Sequence, residues 1–111
     1  VAETDASEKL FQEAVLHLAQ MNGWQHFHPS PAQKRPGVWR TDGQGFPDLV
    51  LAHHDRGVIF AELKTATGKM SPGQRVWEYA LYPHVEWHLW RPSDLPRIAE
   101  RLGPKGVPKL R

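Results

Sequence analysis

The chain has no cysteine. That excludes a disulfide framework, a thiolate nucleophile and any zinc or iron–sulfur centre held by Cys. It also lacks an apolar run near the roughly 20 residues that a membrane-crossing helix needs. Its opening residues, VAETDASEK, have neither the basic start nor the apolar stretch of a secretory signal. A large excess of one charge is missing as well. Fourteen Lys and Arg stand against twelve Asp and Glu, a formal net of +2, which permits a polyanion as partner without demanding one. What is present suffices for one domain with a real core: 111 residues, 40% hydrophobic and 23% charged.

The charges are unevenly placed. Residues 1–13 hold Glu3, Asp5, Glu8 and Glu13 against Lys9 alone. The last twenty residues hold Arg97, Arg101, Lys105, Lys109 and Arg111 against Asp94 and Glu100, and a third basic group is Lys34, Arg35 and Arg40. Singly these are ordinary solvated charges; together they suit a phosphate backbone.

Leu10, Phe11, Ala14, Val15, Leu18 and Met21 recur at helical spacing and predict a first helix, with Asp5 and Glu8 as a capping pair and Gly23 as its stop. Trp24 to His28 reads as a short strand. Pro29 to Gly45 carries three prolines and three glycines and keeps no period, so it reads as one long loop.

Asp48 to His54 and Val58 to Lys64 flank Asp55-Arg56-Gly57, which predicts a hairpin with a three-residue loop. In that register His54 opposes Val58, Asp48 opposes Lys64 and Val50 opposes Glu62. Asp48, Val50, Phe60, Glu62 and Lys64 then share one face, and Leu49, Leu51, Ile59, Ala61 and Leu63 the other. Apolar residues on both faces place the hairpin at the centre of its sheet.

Ser71-Pro72-Gly73-Gln74 opens a second helix with an N-cap, a proline at the first position and a capping box. It stops before Pro83. Val85 to Trp90 reads as a strand, and Ser93 or Asp94 caps a last helix with Leu95, Ile98, Ala99 and Leu102 on one face. The expected fold is α/β, in the order α-β-β-β-α-β-α, over residues 1–103. Residues 104–111 form a basic, loose tail.

Buried carboxylates on a central hairpin are costly unless they bind something. Asp48, Glu62 and Lys64 converge on one face. They suit a hard divalent cation such as Mg²⁺, which takes oxygen ligands and keeps several waters; they equally suit a Lys–carboxylate ion pair. Spacing alone leaves both readings open. The seven histidines show no metal-ligand spacing of the H-E-x-x-H kind. Of the five tryptophans, Trp77 and Trp90 read as core, and Trp39, beside Arg40, as the one placed to touch nucleic acid.

Gly45-Phe46-Pro47-Asp48 followed by Glu62-Leu63-Lys64 resembles the PD-(D/E)xK nuclease signature. The finer pattern resembles the VRR-NUC family. It comprises Ser7-Glu8 before Phe11-Gln12, Gly23-Trp24, GFPDLVL, FAELKTATGK, Gln74, Trp77 and Leu89-Trp90-Arg91-Pro92, and it spans most of the chain from Ser7 to Leu102.

The resemblance implies a restriction-endonuclease-like α-β-β-β-α-β core with a mixed four-stranded sheet flanked by helices. It implies a Mg²⁺-dependent endodeoxyribonuclease, with Mn²⁺ as substitute and no small-molecule cofactor. Asp48, Glu62 and the backbone carbonyl of Leu63 match the metal set. Lys64 matches the family lysine and Gln74 the family glutamine, a position the capping box would also fill. Glu8 best matches a first-helix carboxylate, with Glu13 as competitor. Lys34, Arg35, Arg40, Lys69 and Arg75 are the expected DNA phosphate contacts.

Small stand-alone members of the family resemble homodimeric resolvases of four-way (Holliday) junctions, in a bacterial or phage-infected cytoplasm, with roles in DNA recombination and repair. A monomeric flap or splayed-arm nuclease and a non-catalytic DNA-binding module are the alternatives. Trp87, Tyr79 and Tyr82 are the aromatic residues available for a dimer interface.

Overall fold

The computed structural model describes residues 2–29, 33–35, 38–39 and 44–104. They form an α/β fold: a mixed four-stranded sheet with helices on both faces. Among the described residues no helix is long and apolar enough to cross a membrane.

Helix α1 (Ala2–Met21) begins before Asp5, so the expected cap at Asp5 does not form. Asp5 lies within the helix instead. The buried stripe is Phe11, Val15 and Ala19, at i, i+4 and i+8. Leu10 and Met21, expected in that stripe, lie roughly a quarter turn round from Phe11 and are exposed. Gly23 ends the helix at φ +83, and the Trp24 N–H returns to Ala19 O at 2.9 Å.

The chain continues into β1 (Gln25–Phe27), β2 (Gln33–Arg35), β3 (Val38–Trp39), β4 (Leu49–His53) and β5 (Gly57–Leu63). Then come α2 (Pro72–Leu81), β6 (Glu86–Trp90), a 3₁₀ turn (Pro92–Asp94) and α3 (Leu95–Leu102). The order in the sheet is β1-β4-β5-β6, antiparallel except for β5 with β6. β2 and β3 pair as a separate small sheet inside what reads as a featureless loop. Pro36-Gly37, a turn dipeptide, is the sequence signal for it.

The central hairpin has its predicted faces but not its predicted register. His53, not His54, opens the turn: it pairs with Gly57, Val50 pairs with Phe60 and Leu49 with Ala61. The His53 ring explains the difference. Its Nδ1 accepts from the Asp55 N–H at 3.0 Å, and the Arg56 N–H bonds His53 O at 3.3 Å, so the turn closes early and Gly57 takes φ +97. Because the shift moves whole pairs, every side chain keeps its face.

Leu49, Leu51, Ile59, Ala61 and Leu63 cluster with Phe11, Val15 and Ala19 of α1 and Ile98 and Leu102 of α3. The opposite face carries Val50 and Phe60 and is roofed by α2, through Phe46 edge-on to both Phe60 and Trp77. Trp87, opposite Phe60 in the parallel ladder, is buried within the chain, which removes it as an interface residue. Tyr79 and Tyr82 are exposed. Trp90 is core as expected; Trp77 is only half-buried, its indole N–H donating to Gln44 O at 3.1 Å.

Candidate active site on the central hairpin

Three short-range causes assemble this site. Pro47 is buried and delivers Asp48 at the lip of β4. Glu62 and Lys64 follow the period-two alternation at the end of β5. The capping box at Ser71 sets the first turn of α2, where Gln74 stands. A close approach ties the pieces together. Gly45 has φ +85, and a Cβ there would meet the Gly73 backbone at 2.4 Å, so only glycine lets the Phe46-Pro47-Asp48 segment lie against the start of α2.

Extending the observed register by one residue places Asp48 across from Glu62, not Lys64. Asp48 Oδ2 accepts the Leu63 N–H at 2.8 Å. In extended backbone a residue's N–H and C=O point the same way, so the Leu63 carbonyl is aimed at the same side. Glu62 is 1% exposed and is the only buried charged side chain among the described residues. Its Oε2 accepts from Gln74 Nε2 at 2.7 Å and lies 4.0 Å from Lys64 Nζ. Burial, reinforced by the Asp48 charge and a hydrogen bond with it, pushes the Glu62 carboxyl up to about 8, against the opposing pull of Lys64 and Gln74.

Gln74 does both jobs that its position allowed. Its Oε1 accepts the Ser71 N–H at 2.8 Å, and its Nε2 donates to Glu62. The cap therefore fixes which end of the amide faces the carboxylate, because a backbone N–H can only meet the oxygen.

This donor set fits a hard divalent cation. Two carboxylates face each other at the end of two paired strands, and burial, together with the charge of Asp48, disfavours ionisation of Glu62. A +2 charge between them would reverse that penalty, as bound cations generally do. Among the described residues, no group of three or more His, Asp or Glu side chains forms a ready cluster. Any remaining ligands would be the Leu63 carbonyl and water, in keeping with the way Mg²⁺ is held.

The structure brings Asp48, Glu62, Lys64 and Gln74 together. It does not bring Glu8 to them: Glu8 is exposed on α1, as is Glu13, and α1 packs on the opposite face of the sheet. Lys69 and Arg75 are exposed on either side of the α2 N-terminus, Arg75 pairing with Glu78 at 3.4 Å. Lys34 and Arg35 have their backbone in β2, but their side chains, together with Arg40 and the tail at 105–111, lie outside the described residues.

Two supports were not read from sequence. Arg91 Nη1 donates to Thr65 O at 2.6 Å and so holds the segment leaving β5. Its place directly after a strand and before Pro92 was visible, but its partner is remote in sequence. On the other side of the sheet Arg101 grips both oxygens of Glu86 at 2.8 Å, holding that carboxyl below its usual range.

No family model, curated protein or solved structure matches the chain.

Proposed function

We propose that the chain is a metal-dependent endodeoxyribonuclease of the VRR-NUC type within the PD-(D/E)xK nucleases, with a restriction-endonuclease-like core. One observation carries the reading: Asp48 and buried Glu62 oppose each other on paired strands, with Lys64 and Gln74 both directed at the Glu62 carboxylate. An ordinary ion pair explains Lys64 with one carboxylate. It does not explain a second carboxylate placed where it raises the cost of the first.

In this reading Asp48, Glu62 and the Leu63 carbonyl hold Mg²⁺, or Mn²⁺ in its place. When bound, the metal lowers the pKa of a water and screens the phosphate. Lys64 holds the phosphate or the attacking water. Gln74 fixes the orientation of Glu62 and keeps its carboxylate from pairing fully with Lys64. Lys69 and Arg75, with Lys34, Arg35 and Arg40, hold the DNA backbone and read no sequence.

The substrate proposed is a four-way junction cut by a homodimer. One Asp48–Glu62–Lys64 set cuts one strand, and resolving a junction takes two symmetric cuts, so a twofold pair of chains matches a roughly twofold substrate. A panel of junction, flap, splayed-arm and nicked DNA with strand-by-strand mapping tests this, together with sedimentation. Paired cuts in opposite strands of the junction by a dimer are expected. A monomer that cuts flaps and leaves junctions whole would end the resolvase reading, and a protein that binds all four without cutting would end the nuclease reading.

A further inference from the structure

We propose that His28 is a positioning residue for Asp48, its imidazole standing in for a backbone donor that Pro29 removes. The inference deepens the reading of Asp48 as a metal ligand and rests on it for its functional consequence.

The strand geometry defines the gap. Along β5 the Leu63 N–H reaches toward Asp48, whereas the Lys64 N–H reaches Trp90 O at 3.0 Å on the other side. Backbone groups alternate in direction along a strand, so β5 is met by Leu49, Leu51 and His53, and the backbone groups of Asp48 and Val50 face β1. In the β1–β4 ladder Gln25 pairs with Ala52 and Phe27 with Val50. The next pair in that series is Pro29 with Asp48. Pro29 has no N–H, so the ladder bond that the Asp48 carbonyl is positioned to accept cannot be made.

The His28 ring fills that place. Its Nδ1 lies 2.7 Å from Asp48 O, and because a carbonyl only accepts, the ring donates through Nδ1–H. Asp48 is thereby fixed at two points, its carbonyl by His28 and its carboxylate by the Leu63 N–H. The proline has a use of its own. It ends the strand pairing at the lip of the site, and the imidazole keeps Asp48 in register without a longer β1 closing over it.

The test uses the full chain and a backbone that can take the role back. In His28→Ala, and in His28→Phe, which keeps a ring without a donor, the Leu63 amide of metal-free protein should exchange about tenfold faster than in wild type. Mn²⁺ affinity measured by calorimetry should fall about tenfold, the low end for loss of a ligand's supporting partner. Pro29→Ala alone should stay near wild type. Adding it to His28→Ala supplies the missing N–H and should return both readings to within about threefold of wild type. Unchanged Leu63 exchange in both His28 variants, or a folded His28→Ala/Pro29→Ala protein no better than His28→Ala, would overturn the proposal. If wild type binds no Mn²⁺, the metal reading fails by itself, and the exchange rates still decide whether His28 braces Asp48.

Discussion

The two faces of one hairpin solve opposite problems. Toward α1 and α3, Leu49, Leu51, Ile59 and Ala61 are wholly buried, close-packed and without a polar group. Toward α2, on the same two strands and one residue out of phase, Asp48, Glu62 and Lys64 converge with Gln74. Leu63 of the dry face even lends its N–H to Asp48 of the other. The core face fixes where the strands lie, and that rigidity lets a second carboxylate be held beside the buried Glu62.

The largest effect belongs to the dry face. Ile59→Ala should cost about 2–5 kcal/mol by urea denaturation, because Ile59 has no exposed surface and lies within the core cluster. Mn²⁺ affinity of the molecules that stay folded should be unchanged. A matching loss of metal affinity would show that the two faces are not separable.

Next comes pH. Folding raises the Glu62 carboxyl from 4.5 to about 8, so between those values the folded chain holds a proton that the unfolded chain has lost. The metal-free protein should therefore lose thermal stability as pH rises through that window. Glu62→Gln should abolish that part of the slope, and saturating Mg²⁺ should flatten it by stabilising the ionised form. A stability that climbs over the same range in wild type and falls in Glu62→Gln would contradict the account.

A smaller effect separates the two jobs at the start of α2. Ser71→Ala removes the cap hydroxyl bonded to the Gln74 N–H at 3.2 Å and should cost about 1 kcal/mol with cleavage intact. Gln74→Ala should cost a similar amount but also lower cleavage by about 10–100-fold, since Glu62 loses its donor. Equal cleavage in the two variants would reduce Gln74 to a cap.

The smallest effect lies outside both faces. Arg75→Ala and Lys69→Ala should each weaken DNA binding alike on all sequences and reduce the salt slope by about one unit. Both side chains are exposed, so folding should be unaffected. A change in sequence preference with the slope intact would contradict a phosphate contact.

Much of this was legible because it is local. The capping box at Ser71, the glycine stop at Gly23 and the alternation along Glu62-Leu63-Lys64 are encoded within four residues. The partition of the hairpin faces survives an error of register because the side-chain period is two. What was not legible depends on side-chain contacts that no spacing rule gives, most of them remote. The His53 ring reset the turn, α1 proved to be covered along Phe11, Val15 and Ala19 and not along Leu10 and Met21, and Trp87 turned inward under Tyr82. His28 and Arg91 act through carbonyls 20 and 26 residues away, and no spacing rule announces such a pair.

The central claim is that the α2-facing side of the hairpin is a divalent-cation site that cuts DNA. The most direct test is Mg²⁺ titration of cleavage on a labelled four-way junction, with wild type beside Asp48→Asn and Glu62→Gln. Cutting should require metal and be lost in both variants while junction binding and the folded state persist. Cutting that needs no metal, or that survives both substitutions, would contradict the claim.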